Sequence, residues 1–178
     1  FYPMQRKGLV FVYCGKGKGK TTAALGTALR AAGQGFKVLI LQFMKKKQNI
    51  GEINAMASAG LPIELKQYGT RLFFKSRACE MIDILKAKEG LKAFKKAMES
   101  RIYDMIILDE INIAVDFDLL DCEEVCRLIA SKPPELHLIL TGRNAPIELI
   151  ELADLVTEMR EVKHPYNHGI PAQKGIEY

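Results

Sequence analysis

The residues best equipped for chemistry form one string, Gly15-Lys16-Gly17-Lys18-Gly19-Lys20-Thr21-Thr22. Glycines lack a Cβ, so successive backbone N–H groups can turn toward one point, and a helix that follows adds the positive end of its dipole. The amine of Lys20 can reach phosphate oxygens, and the Thr21 hydroxyl is a hard oxygen ligand for magnesium or manganese. All eight residues are therefore candidates for a triphosphate site. The usual phosphate-loop spacing places a glycine where this chain has Cys14, so the loop is one residue short.

The second candidate is Asp109-Glu110, which closes the apolar run Met105-Ile106-Ile107-Leu108. Asp109 is expected to hold the metal with Thr21, directly or through water. Glu110 admits two roles: it could position water in a hydrolase, or orient substrate or metal in a transferase. Lys45-Lys46-Lys47 also follows an apolar run and could guide phosphates or nucleic acid, but three lysines on a loop read more simply as solvated. His164 and His168 are four apart, but Pro165 between them prevents the helix that would align them as ligands. His137 lies in an apolar run and reads as structural. Cys14, Cys79, Cys122 and Cys126 contain no CxxC pair, and they read as buried small residues in a reducing cytoplasm.

These residues need a scaffold that brings strand ends together. Residues 9–13 (LVFVY) and 38–43 (VLILQF) are apolar on both faces, the mark of buried parallel strands. Further strands are expected at 63–68, 105–108 and 136–141, with a last short βα-like unit over 146–159. A helix is expected from about Lys20, presenting Ala23, Ala24, Leu25, Ala28, Leu29, Ala31 and Ala32 to the sheet and stopping at Gly33 and Gly35. Met81, Ile84, Leu85, Leu91, Phe94 and Met98 recur at helical spacing, and Asp121 with Glu124 forms an acidic capping box before Val125, Leu128 and Ile129. Alternating strands and helices predict an α/β fold, a mostly parallel sheet covered by helices on both faces in a P-loop, recombinase-core-like architecture. Ligands bind such sheets at the carboxyl ends of the strands.

The 178 residues are 48% hydrophobic, which suffices for a core and excludes a disordered chain or a disulfide-stapled miniprotein. The chain reads as one nucleotide-binding domain over 1–178, with 160–178 an ordered carboxyl-terminal tail. No uncharged apolar run approaches the roughly 18 residues a membrane crossing needs, and nothing after Phe1 reads as a secretory signal. The net charge is +5, but the first 50 residues carry ten Lys or Arg and no Asp or Glu. Such polarity suits an anion: a nucleotide, a nucleic-acid backbone, or solvent alone.

Several strings taken together resemble the corrinoid adenosyltransferases. They are the loop with its flanks from Val12 to Gly26, Gln42-Phe43-Met44-Lys45, Ile107-Leu108-Asp109-Glu110, Leu140-Thr141-Gly142-Arg143-Asn144-Ala145-Pro146, Leu152-Ala153-Asp154-Leu155-Val156-Thr157-Glu158-Met159, and the tail from Lys163-His164-Pro165-Tyr166 to Gly175-Ile176-Glu177-Tyr178. The short loop is the family's own form. The resemblance implies that Mg·ATP lies along the loop in the reverse of the usual orientation. It also implies that Co(I) of cobalamin or a precursor corrinoid attacks C5′ of the ribose, and that triphosphate leaves. It assigns the phosphates to Gly15 through Thr22, with Lys20 catalytic, and adds Arg30 and Arg143 as nucleotide contacts. Magnesium or manganese goes to Thr21, Asp109 and Glu110, with Glu110 also catalytic. It implies a homodimer supplied with electrons by a reductase.

Two positions depart from the family. A Gly-Phe-Thr-Trp type string, whose aromatics lie on the corrinoid, is replaced by Gly69-Thr70-Arg71-Leu72-Phe73-Phe74, and the chain has no tryptophan. Phe73 and Phe74 are either the corrinoid-facing substitutes or two core aromatics. Ile113 stands where a tyrosine is common. The amino-terminal segment that family members close over the site also reads as short. A nucleic-acid-stimulated, recombinase-like ATPase is the alternative enzyme, although no nucleic-acid motif with interleaved aromatics is visible. A corrinoid carrier that binds ATP without turnover is the third reading.

Overall fold

The structure, a computed structural model, describes residues 6–46, 50–70 and 80–177. Six strands form one all-parallel sheet in the order β3-β2-β4-β5-β1-β6. They are β1 (Val10–Cys14), β2 (Val38–Phe43), β3 (Ile63–Tyr68), β4 (Met105–Asp109), β5 (His137–Thr141) and β6 (Leu155–Glu158). The strands β2 and β4 are buried at every position and lie side by side in the interior of the sheet. The edge strand β6 is exposed throughout, which explains why its sequence carries so weak a strand signal.

Helix α1 (Lys20–Gly33) packs on one face, where Ala24, Ala28 and Ala31 meet Val38, Ile40, Met105, Ile107 and Ile139. The small residues permit the close approach expected of them. Leu25, half-buried, packs against that cluster as expected, but Leu29 is exposed and does not join it; both also line a cavity described below. Helix α2 (Gly51–Ala59) contributes Met56 to the same face but buries no residue fully, so no apolar stripe marked it in the sequence.

On the opposite face lie α3 (Met81–Ser100), α4 (Ile111–Asp116), α5 (Cys122–Ala130) and α6 (Ile147–Leu152). In α3 the packing is carried by Ala87, Gly90, Leu91, Phe94, Ala97 and Met98. Met81 and Leu85, expected in the apolar stripe, are exposed, because the part of α3 that meets the sheet begins a turn later with small residues. Asp121 caps α5, its Oδ1 accepting the Glu124 N–H at 2.8 Å. Cys14 is buried and Cys122 and Cys126 are half-buried, with burial raising all three thiols; Cys79 lies outside the described residues. His137 is structural as expected: its Nδ1 accepts the Leu9 N–H at 3.2 Å and its ring stacks on Phe36. Among the described residues no helix is long and apolar enough to cross a membrane.

Candidate functional site

The loop between β1 and α1 rises from the carboxyl end of the sheet, where parallel strands converge on a ligand. Gly15 and Gly19 have φ of +93° and +119°, conformations that L side chains rarely adopt. Gly17 is needed for another reason: a Cβ there would stand 2.7 Å from the Met159 carbonyl oxygen. The Gly15 N–H donates to Arg143 O at 2.9 Å and the Gly17 N–H to Met159 O at 2.7 Å. These two glycines thus tie the loop to the segments after β5 and β6. Lys20 curls inward and its ammonium donates to Gly15 O at 2.8 Å and Gly17 O at 2.7 Å. Burial lowers its pKa, with Glu110 opposing the shift. No acidic residue stands in the first turn of α1, so nothing there competes for an anion.

Asp109 ends β4 as expected and is fully buried. Its Oδ1 accepts from Thr21 Oγ1 at 2.9 Å and from Thr141 Oγ1 at 2.6 Å. Its Oδ2 accepts from Lys45 Nζ at 2.6 Å and from Gln42 Nε2 at 3.1 Å. Burial opposes the ionised carboxylate, yet Lys45 and the two hydroxyls outweigh it and hold the pKa below the usual carboxylate range. Glu110 adopts φ of +64°, and its N–H donates to Thr141 Oγ1 at 2.9 Å. Burial raises the Glu110 carboxyl, and Lys45, 3.8 Å from its Oε1, offsets only part of that. Thr141, at the end of the strand between β4 and β1, therefore joins both carboxylate residues.

Lys45 overturns one expectation. It is not a solvated lysine: it is held between Asp109, Glu110 and Thr21, and those charges overcome its own burial and raise its pKa. A charge on a loop carries no sign of what it faces, so the residue type alone did not mark it. Gln42 carried a clearer signal, a polar residue inside a run that is otherwise wholly apolar. It is buried, and its Oε1 accepts from Gln67 Nε2 at 2.9 Å while its amide meets Asp109.

A cavity of about 840 Å³ opens over these residues. Lys16, Lys18, Lys20, Thr21, Thr22, Lys45, Glu52, Glu110 and Arg143 form its polar part. Leu25, Leu29, Ala55, Met56, Leu61 and Ile63 form an apolar part, and Gly175, Ile176 and Glu177 of the tail add a further wall. Lys18 Nζ lies 3.5 Å from Glu177 Oε1, tying that tail to the loop. The size suits a nucleotide, and the division into cationic and apolar parts suits a triphosphate joined to an apolar group. Arg30, expected at the nucleotide, is exposed on α1 and is not among the lining residues. Phe73 and Phe74 lie outside the described residues.

The donor set also fits a hard divalent cation. Thr21 Oγ1, the Asp109 carboxylate and Glu110 Oε1 are all oxygens, and they surround one cationic nitrogen, that of Lys45. So small a protein set suits magnesium or manganese, which keep several waters and take further ligands from phosphates.

Residues 6–178 match the family described as ATP:corrinoid adenosyltransferase BtuR/CobO/CobP. The chain is similar to the corrinoid adenosyltransferase of Escherichia coli K12, 37% identical over 172 residues that cover 97% of this chain and 86% of that one. A corrinoid adenosyltransferase of Sinorhizobium sp is 37% identical over 174 residues, covering 97% and 81% of the two chains. The corrinoid adenosyltransferase CobA of Salmonella typhimurium is 35% identical over 175 residues, covering 98% and 87%.

Proposed function

The chain belongs to the ATP:corrinoid adenosyltransferase family, and from that premise we propose how its residues divide the work. The enzyme transfers the adenosyl group of ATP to a corrinoid. Family membership gives no support to the recombinase-like ATPase suggested by the basic amino-terminal part. In the proposed reaction the Co(I) electron pair of a reduced corrinoid forms a bond to C5′ of ATP. The C5′–O bond breaks, and its electron pair leaves with triphosphate.

A nucleophile of that strength needs no general base; the protein must align the reactants and receive the charge of the leaving group. Lys16, Lys18, Lys20, Thr22 and Arg143 are assigned to the triphosphate, with Lys20 held in place by Gly15 and Gly17. Thr21, Asp109 and Glu110 would hold magnesium, which when bound neutralises triphosphate charge. Glu110, with its raised pKa, orients the substrate end of that site. The apolar part of the cavity excludes water from the adenosyl group. Arg30 is left out of the assignment. Phe73 and Phe74 are assigned to the corrinoid as this chain's substitutes for the family's aromatics. A reductase that delivers the corrinoid reduced, pairing of two copies, and a cytoplasmic setting complete the reading.

The observation that carries it is the meeting of Lys20, Thr21 and Glu110 on one cavity wall, with Asp109 2.9 Å behind the Thr21 hydroxyl. The test is anaerobic incubation with Mg·ATP and chemically reduced cob(I)alamin, followed by visible spectra before and after illumination. A light-sensitive adenosylcobalamin spectrum is expected. ATP binding without any cobalt–carbon bond would favour the carrier reading instead.

A further inference from the structure

Lys45 follows β2 directly, and the chain is bent to aim it. Met44 adopts φ of +56°, a left-handed conformation that disfavours any residue with a Cβ. The bend is fixed from β3: the Met44 N–H donates to Tyr68 O at 2.8 Å. Gly69 packs so closely that a Cβ would stand 2.4 Å from Lys45 N. Strain of this kind, maintained by packing, concentrates where a side chain must be delivered to a set place. Here the place is the centre of the oxygen cluster: Lys45 Nζ lies 2.6 Å from Asp109 Oδ2, 3.3 Å from Thr21 Oγ1 and 3.8 Å from Glu110 Oε1.

We propose that Lys45 is the resident counter-ion of the metal site, a positioning residue that a divalent cation displaces from Asp109 and Glu110 and that is then free for the triphosphate. This rests on the assignment of Thr21, Asp109 and Glu110 to the metal. A divalent cation and an ammonium on one set of oxygens a few ångströms across repel each other, so metal entry drives the ammonium off. Lys45 also lines the cavity with Lys20 and Arg143, so a displaced ammonium finds an anion nearby once the nucleotide is bound. The arrangement keeps the buried carboxylates paired before nucleotide arrives, and it links metal binding to triphosphate binding. Free metal alone must compete with the lysine; metal that arrives with ATP brings the phosphates that receive it.

The test is nucleotide-free titration of Mn2+, reading free Mn2+ by electron paramagnetic resonance, on the wild type, Lys45→Met and Lys45→Gln, with circular dichroism to verify folding. With the ammonium gone, the bare carboxylates are expected to bind Mn2+ about tenfold or more tightly than in the wild type. Equal or weaker binding by a folded variant overturns the proposal. If neither variant folds, the side-chain ammonium resonance of Lys45 in 15N-labelled wild type decides: addition of Mg2+ with tripolyphosphate should shift it, and an unmoved signal overturns the role. The metal assignment is tested separately with Asp109→Asn. If this change leaves Mn2+ binding in the presence of ATP intact, the assignment itself fails and the Lys45 proposal falls with it. If Asp109→Asn weakens that binding while Lys45→Met changes nothing, only the counter-ion role is lost.

Discussion

Lys20 makes no contact with a negative side chain in the loop; its partners are the carbonyl oxygens of Gly15 and Gly17. Those hydrogen bonds hold the charge where the proposed site receives the triphosphate, and no other lysine of the loop is buried. Lys20→Ala is therefore expected to lower kcat/KM by about a hundredfold or more, a loss of ~3 kcal/mol typical of a positioned donor to developing charge. Single-turnover rates with chemically supplied Co(I) are the measurement, and near-normal rates would remove the loop from catalysis. Thr141 carries the other residue-scale prediction. It is fully buried, donates to Asp109 Oδ1 and accepts from the Glu110 N–H. Thr141→Val preserves shape but strips both partners, so a stability loss of about 1–3 kcal/mol is expected in urea unfolding, with an unchanged m-value. Thr141→Ser keeps the hydroxyl and should retain most of the wild-type stability. A loss in Thr141→Ser with none in Thr141→Val would mean that the methyl group, not the hydrogen bonds, is what matters.

At the scale of elements, α3 approaches β2 and β3 closely at a glycine. A Cβ on Gly90 would stand 2.7 Å from Phe43 Cε1 and 3.1 Å from Tyr68 Cγ. On an exposed helix Gly→Ala gains up to ~1 kcal/mol, but here the overlap with a buried ring reverses the sign. Gly90→Ala is expected to destabilise by about 1–3 kcal/mol, read as a lower urea midpoint. A raised midpoint would show that α3 can move away from the sheet without penalty. At the start of β5, burial together with Arg6 and Lys132 lowers the His137 pKa, while Asp104 opposes the change. The unfolded chain then takes up the proton first as pH falls below about 6.5. The stability that neutral His137 contributes is complete above that value and is lost between it and the lower folded pKa. The wild type should lose more stability between pH 7.5 and 5.5 than His137→Gln does. Parallel losses would assign the titration elsewhere.

Elements also differ in how legible they were. The strands β2 and β3 coincide with the runs expected of them for different reasons: β2, buried between neighbours, is an apolar run broken only by Gln42, whereas β3 lies at the sheet edge and begins with alternating half-buried and exposed residues. Helices α2 and α4 left no comparable trace: α2 buries nothing fully, and α4 spans only six residues directly behind Asp109-Glu110. Within the site, the phosphate loop and the carboxylate pair were readable because glycine spacing and a strand-end Asp have few other uses. Lys45 was not, since its role depends on the Met44 bend and the close approach of Gly69, both of which are tertiary facts.

For the whole molecule, the strand order places β5 between β4 and β1, so residues distant in the chain meet at one sheet end. Thr21 after β1, Asp109 at the end of β4 and Thr141 at the end of β5 are joined by hydrogen bonds of 2.6 and 2.9 Å, with Lys45 from the end of β2 completing the cluster. The tail returns to the same place through Glu177 and Lys18. In the proposed reaction the site grips the triphosphate as a unit and releases it whole when C5′ is transferred. Phosphorus NMR of the products, taken during anaerobic turnover with reduced corrinoid, tests that claim most directly. Tripolyphosphate is predicted in a one-to-one ratio with adenosylcorrinoid. Orthophosphate or diphosphate as the initial product, without a matching cobalt–carbon bond, would contradict it and mean that the loop cleaves between phosphates as an ordinary ATPase does.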